Sequence, residues 1–541
     1  MKKLLFLIVL IVCNSFVQGQ QAPVIEWQKS LGGTSIDIVD YIQQNSEGGY
    51  IVSGQSESND VDVSGNHGGQ DAWVVKLSNS GTVQWQKSLG GPGADEGQCI
   101  RQTNDGGYIV VGYATANGGD VTGYHYSGPW PILMYDVWVV KLDINGTIEW
   151  QKCLGGSGVS DAAYSVQQTT DGGYIVGAST NSSDGDVIGF NGGSDYWIVK
   201  LDVNGTIAWQ KCLGGTGGDA LESLQQTSDG GYILAGFSNS QDGDVTGNHG
   251  ESEDYWVVKT DTAGVIEWQK SFGGNGLEIA SSIQQTADGG YFVTGSSQSV
   301  DGDITGHHGD NTTLDYWAVK LDSVGLVQWE KSLGGTRDEY SYYANVTVDG
   351  GFIISGFSQS VDGDVTGHHG SVNTSDFWLV KLDSVGTIQW EKSIGGTSED
   401  RPNYVQQTND GGYITGGYSN SNDGDATSNS GGFDYWVVKL APDIIISIKD
   451  IDNDFFNLSL YPNPFITSFT LETTLETTLQ SATPLQTEIR NLQGQLVYSH
   501  TENAAAGMYK KTIELNLTQG IYYLTLQSSE GRVTKKVEVV R

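Results

Sequence analysis

Three phrases recur seven times each along this chain, and such repetition constrains the fold more than any other feature of the sequence. The first, IEWQKSLGG or a close variant, places tryptophans at Trp27, Trp85, Trp150, Trp209, Trp268, Trp329 and Trp390, with successive spacings of 58, 65, 59, 59, 61 and 61. The second, DYWVVKL or similar, places them at Trp73, Trp138, Trp197, Trp256, Trp317, Trp378 and Trp436. Between them lies QQTxDGGYI, as in Gln225 to Ile233. The two tryptophan slots hold 14 of the 15 tryptophans. Fixed places inside strand patterns mark them as inter-blade packing positions and not carbohydrate platforms, since a buried indole removes about 150–250 Å² from water.

One unit parses into four strands. Ser165–Thr169 alternates, and Thr170-Asp171-Gly172-Gly173 supplies a hairpin turn. Tyr174–Ala178 follows, then a polar loop, then Tyr196–Leu201, apolar on both faces as a sandwiched strand requires. Asp202-Val203-Asn204-Gly205 turns the chain into Thr206–Cys212, where Gln210 and Lys211 suit an outer edge that must not recruit further strands. No stretch sustains a 3.6-residue period, so almost no helix is expected.

Four antiparallel strands repeated radially make the blade of a β-propeller. The ends of the array decide between a ring and a linear solenoid. The array opens with a lone fourth strand, Val24–Ser30, and ends on a third strand, Tyr435–Leu440, with no fourth after it. If the N-terminal strand completes the last blade, both defects vanish, whereas a solenoid would want atypical caps. The expectation is all-β: a seven-bladed β-propeller of four-stranded antiparallel blades over residues 20–440, closed by its N-terminal strand. A linker (441–455) and a small Ig-like β-sandwich (456–541) would follow.

Lys2 and Lys3 precede an apolar run from Leu4 to Cys13 and then Val17-Gln18-Gly19. That order is a cleavable secretory signal over residues 1–19, and no later stretch is apolar enough to span a bilayer. A lipoprotein reading on Cys13 is disfavoured by Val12 where a small residue is wanted. Cleavage leaves Cys99, Cys153 and Cys212, an odd number; Cys153 and Cys212 fill a slot that holds Ser88 in another copy, which reads as small packed side chains. The chain carries 64 acidic against 27 basic residues, net −37, a surface that repels nucleic acid. Residues 451–541 hold nine acids and seven bases, so the acidity belongs to the repeats.

Loops after the second and fourth strands share one face, where length and chemistry vary, so that face is the expected interaction surface. It carries repeated Asp-Gly-Asp segments: Asp184 and Asp186, Asp242 and Asp244, Asp301 and Asp303, Asp362 and Asp364, with a fifth at Asp423 and Asp425. These are weak calcium candidates, because Ser238 and Ser240 stand where further acids would be needed and no Glu closes the loop. No other cofactor is indicated. Seven of the eight histidines lie in the same loops, including the pairs His307-His308 and His368-His369. Histidine after glycine in a polar loop is usually exposed, though pairs on consecutive blades are candidate contact or metal residues. One loop, Asp120 to Asp136, is longer than its counterparts and inserts Tyr124, Tyr126 and Trp130; Trp130 is the best single candidate for specific recognition. Nucleophile-elbow, zinc-helix and P-loop motifs are absent. Carboxylates are too abundant to locate a glycosidase-like pair.

The tail reads as seven short strands: Leu458–Tyr461, Phe469–Thr473, Gln486–Arg490, Leu496–His500, Lys510–Leu515, Tyr522–Gln527 and Arg532–Val540. Leu460-Tyr461-Pro462-Asn463-Pro464-Phe465, then Asn491 to Tyr498, then Gly520-Ile521-Tyr522-Tyr523-Leu524 and the basic end Lys535 to Arg541 resemble the type A C-terminal sorting domain of the type IX secretion system. The Thr-rich stretch Glu472–Gln486 is longer than is usual there. The resemblance implies export across the inner membrane by the signal, recognition of the tail by the type IX machinery, and release or attachment at the outer surface of a Gram-negative bacterium. The repeats are also similar to uncharacterised propeller repeats of cargo of that system, which implies no activity. Three functions follow as expectations: a secreted, monomeric binding scaffold for a glycan, polymer or protein; an extracellular polysaccharide hydrolase or lyase with carboxylates near the central channel; and a structural surface-coat component.

Overall fold

In a computed structural model, the described residues are 21–125, 134–443 and most of 458–539. The expected signal (1–19), most of the linker, and Tyr126 and Trp130 of the inserted loop lie outside them. The chain divides into two compact units, Met1–Asp443 and Ile444–Arg541.

The first unit is a seven-bladed β-propeller of seven four-stranded antiparallel sheets. Six are continuous in sequence; the seventh joins Asp400–Gln407, Tyr413–Ser419 and Asp434–Leu440 to the N-terminal strand Ile25–Leu31. In that closure Gln28 pairs with Val438 and Ser30 with Trp436, and the Trp436 indole N–H donates to Gln28 Oε1 at 2.5 Å. Blade seven then packs on blade one: the Tyr435 hydroxyl donates to the Trp73 carbonyl at 2.8 Å. The same bond joins Tyr196 to Trp256, Tyr255 to Trp317 and Tyr316 to Trp378.

The two tryptophan sets play different parts. Third-strand tryptophans such as Trp197 and Trp256 are fully buried, and each indole N–H reaches the Gln or Glu after the fourth-strand tryptophan, as Trp197 does to Gln210 at 2.8 Å. Fourth-strand tryptophans are mostly half-buried at the rim. Each lies edge-on to the next blade's aromatic residue, as Trp150 does to Tyr174 at 5.8 Å. The turn glycine beneath has no room for a side chain: a Cβ on Gly205, at φ +75°, would meet the Trp150 ring at 2.7 Å.

The first strand of each blade lines the channel and carries a β-bulge. In the third blade this strand is Asp161–Gln168, longer than the expected Ser165–Thr169, with the register shift between Ala163 and Ser165. The bulge presses a carbonyl on the second strand, where a Cβ on Gly54 would collide with the Ile38 oxygen. The three cysteines among the described residues, Cys99, Cys153 and Cys212, are buried and unbridged.

The second unit has a three-stranded sheet (Ser459–Tyr461, Ser468–Leu475, Gly507–Glu514) and a four-stranded one (Thr483–Asn491, Leu496–Ala504, Gly520–Gln527, Arg532–Val539). Both contribute to one core, with Phe469, Leu471 and Ile513 from the first and Ile489, Leu524 and Val537 from the second. That is a β-sandwich.

Candidate functional site

Glutamine pairs at the ends of the first strands stitch the ring together. The first of each pair reaches forward: the oxygens of Gln43, Gln167, Gln225, Gln284 and Gln406 accept backbone N–H groups of the next blade at 2.6–3.0 Å. The second reaches back: Gln44, Gln102, Gln168, Gln226, Gln285 and Gln407 accept from the preceding blade's turn at 2.7–3.2 Å. Only two blades lack the forward glutamine, having Arg101 and Asn345 there instead.

Inside this ring lies a cavity of 660 Å³ walled by the first strands, within the usual range for small-molecule sites. Its wall is where the repeats stop repeating. Along the third strand, Asp, Trp and Lys stand at the same positions in all seven copies. At the bulge the seven residues are Asp40, Gln98, Tyr164, Glu222, Ser281, Tyr342 and Asn403, and every one faces the cavity.

The polar groups of this wall are incompletely satisfied. Asp40 takes a 3.3 Å hydrogen bond from Asn403 on one oxygen, while its Oδ2 is buried without a partner. Burial, and then the Glu96 carboxyl of the next blade, push Asp40 well above the ordinary carboxylate range. Glu96 itself is raised by burial, although Gln70 (3.1 Å) and the Tyr113 hydroxyl donate to it. Glu222 makes no hydrogen bond, and burial alone lifts it to about 8; it is largely neutral at pH 7. Tyr343, Tyr404 and Tyr41 pack as tilted rings across blades six, seven and one with successive centroids 4.0 Å apart. The Arg101 guanidinium sits 4.8 Å from the Tyr41 ring centre.

The loop-face residues singled out from sequence are mostly engaged within the fold. The first Asp of each Asp-Gly-Asp segment caps the neighbouring loop. Asp184 accepts from Ser157 N–H and Oγ at 2.7 Å each, Asp242 and Asp362 accept from Thr216 and Thr336, and Asp301 accepts from Asn275. The second Asp accepts a glycine N–H, as Asp186, Asp244, Asp303 and Asp364 do at 3.2–3.4 Å. His308 and His369 bond through Nδ1 to the buried Asp315 and Asp376 at 3.0 and 2.8 Å. His307 and His368 have side chains only 2% and 1% exposed, unlike the expected solvent-facing histidines. The tight turn packs the first ring of each pair beside the buried aspartate, with its Nε2 on a loop carbonyl. Among the described residues no three His, Cys, Asp or Glu side chains could together hold a metal ion. Tyr124 is tied back to its own blade, its hydroxyl donating to the Met134 carbonyl at 2.9 Å.

Sequence reasoning missed the channel wall. The signal was the bulge position, varied in a chain that otherwise copies itself, and the replacement of one glutamine by Arg101.

No curated protein matches the chain. Among solved structures it is similar to a glycoside hydrolase of family 32 from Bifidobacterium adolescentis, at 8% identity and a TM-score of 0.25, over 95% of this chain and 96% of that one. No helix among the described residues is long and apolar enough to cross a membrane. Residues 459–540 match the family described as the secretion system C-terminal sorting domain, so the C-terminal unit is a type IX sorting domain and the chain carries the export mark of that pathway.

Proposed function

We propose that this is a type IX cargo protein, displayed at or released from the outer surface of a Gram-negative bacterium, whose propeller binds a ligand in its central channel. The observation that carries this reading is the asymmetry of the channel wall. Packing positions are copied seven times because all seven junctions pose the same steric problem. Lumen positions differ from blade to blade, and they include carboxyls that burial raises, Glu222 to about 8 with no hydrogen bond in the fold and Asp40 beside Glu96, groups that gain from a polar ligand. An asymmetric ligand needs such a wall, whereas a coat protein gains nothing from it.

The test is a glycan and polysaccharide array probed with the full chain, with and without calcium, scoring retention and product release together. Ser281→Trp, which fills the channel from the bulge position, serves as the control. Retention lost in this variant supports the channel, and retention that survives in the folded variant refutes it. A second reading, polysaccharide hydrolysis or lysis, is favoured by the carboxyl pair Asp40 and Glu96 facing each other from adjacent blades. It requires product release from the array, abolished by Asp40→Asn.

A further inference from the structure

Arg101 occupies a slot where five of the other six blades have a ring-stitching glutamine. A guanidinium has no acceptor and cannot take the backbone N–H that those glutamines take, so arginine here gives up a structural bond. The guanidinium lies against the Tyr41 ring and the Cys99 thiol, and neither is an anion. Arg101 Nε is buried without a hydrogen-bond partner, and the groups around it are the neutral hydroxyls of Tyr41, Tyr343 and Tyr404 and the Cys99 thiol. Among the described residues it is the one Lys or Arg in the cavity wall. An enclosed cation without an anion is unfavourable, and its planar fork suits a carboxylate.

The rest of the wall narrows the class. Amides of Gln43, Gln102, Gln225 and Asn104 and the hydroxyl of Ser281 line the same cavity, a lining suited to a polyol, and the partly exposed rings of Tyr164 and Tyr342 at the bulges offer contact to a sugar ring. A single cationic group suits a monoanion better than a phosphate or sulfate cluster. The long-range repulsion of a −37 chain slows an anion's approach, but burial lifts the wall carboxyl Glu222 to about 8 and leaves it largely neutral at pH 7.

We propose that the channel takes an acidic saccharide, a uronate or the end of an oligouronide, with its carboxylate held by Arg101. This rests on the channel being the binding site. The test is calorimetry on the full chain with the monoanions galacturonate and glucuronate, the neutral sugars galactose and glucose, and inorganic sulfate and phosphate. The uronates should bind at least about tenfold more tightly than their neutral counterparts. Arg101→Gln installs the residue the other blades use, so it should fold with an unfolding midpoint no lower than that of the parent. It should weaken uronate binding about 10- to 100-fold and leave neutral sugars unchanged. Equal affinity for acid and neutral sugar, or unchanged uronate affinity in Arg101→Gln, overturns the anchor. Sulfate or phosphate binding more tightly than uronate overturns the sugar-acid class. If no uronate binds, the inference falls, while neutral glycans lost in Ser281→Trp would still uphold the channel; if that variant retains them, the channel reading falls too.

Discussion

At every junction two carboxyls, one from a third strand and one from the next first strand, converge on a glycine. At Gly214 a Cβ would lie 2.5 Å from Asp219 Oδ2 and 2.8 Å from Asp195 Oδ1; the latter is buried without a partner. Burial raises Asp195 and Glu339 to about 7, and Asp95, Asp136, Asp254 and Asp400 to about 6. A carboxyl whose folded value lies above its unfolded value holds its proton more tightly in the native chain. Its stabilising contribution is therefore present in acid and lost as pH rises through 6 to 7. From pH 8 to 5.5 this amounts to about 2 kcal/mol for a group near 7 and about 0.8 kcal/mol for one near 6, several kcal/mol over the ring. The turn-face carboxylates Asp105, Asp171, Asp229 and Asp288, lowered to about 2 with lysines beside them, lose stability only below about pH 4 and do not oppose the trend. Urea midpoints should therefore rise steadily from pH 8 to 5.5. Asp195→Asn keeps an acceptor for the Asn191 N–H, now received at 2.8 Å, and turns its other end into a donor toward Asp219. It should remove about 2 kcal/mol of that slope and stabilise the protein at pH 8. A midpoint that is flat or falls toward pH 5.5, or an unchanged slope in Asp195→Asn, would refute the reasoning.

Other consequences are equally direct. Trp197→Ala empties a fully buried slot and should cost about 3–5 kcal/mol in urea unfolding, whereas Trp150→Ala, at the half-buried rim, should cost clearly less. Calcium chelation should leave the melting midpoint unchanged, because Asp184, Asp242, Asp301 and Asp362 already accept protein hydrogen bonds; a fall of more than about 3 °C would mean a bound ion. Removing residues 456–541 should trap the chain inside the outer membrane, measured by fractionation, since the sorting domain lies there.

What the sequence shows and what it hides divide along physical lines. Strand order and ring closure were legible because each junction is solved by the same residues, and repetition exposes them. All seven tail strands were legible because alternation and turn chemistry are local signals. The channel was not. Its strands begin with residues such as Asp161, Ala162 and Ala163, which carry little β-propensity, and the bulge at Tyr164 breaks the alternation that would reveal them. The loop histidines and aspartates drew attention as residue types able to bind ions. Their role as partners across a junction, as between His125 Nε2 and Asp186 Oδ2 at 3.6 Å, depends on contacts that only the assembled ring creates.

A channel exists only if the circle shuts. Native-state hydrogen exchange read at Ile25–Leu31 is the sharpest probe, since those amides pair with Asp434–Leu440 at the far end of the propeller chain. Closure predicts protection matching that of the other outer strands, such as Ile207–Leu213. Exchange of this segment at the rate of an unstructured terminus, with Ile207–Leu213 still protected, would contradict it.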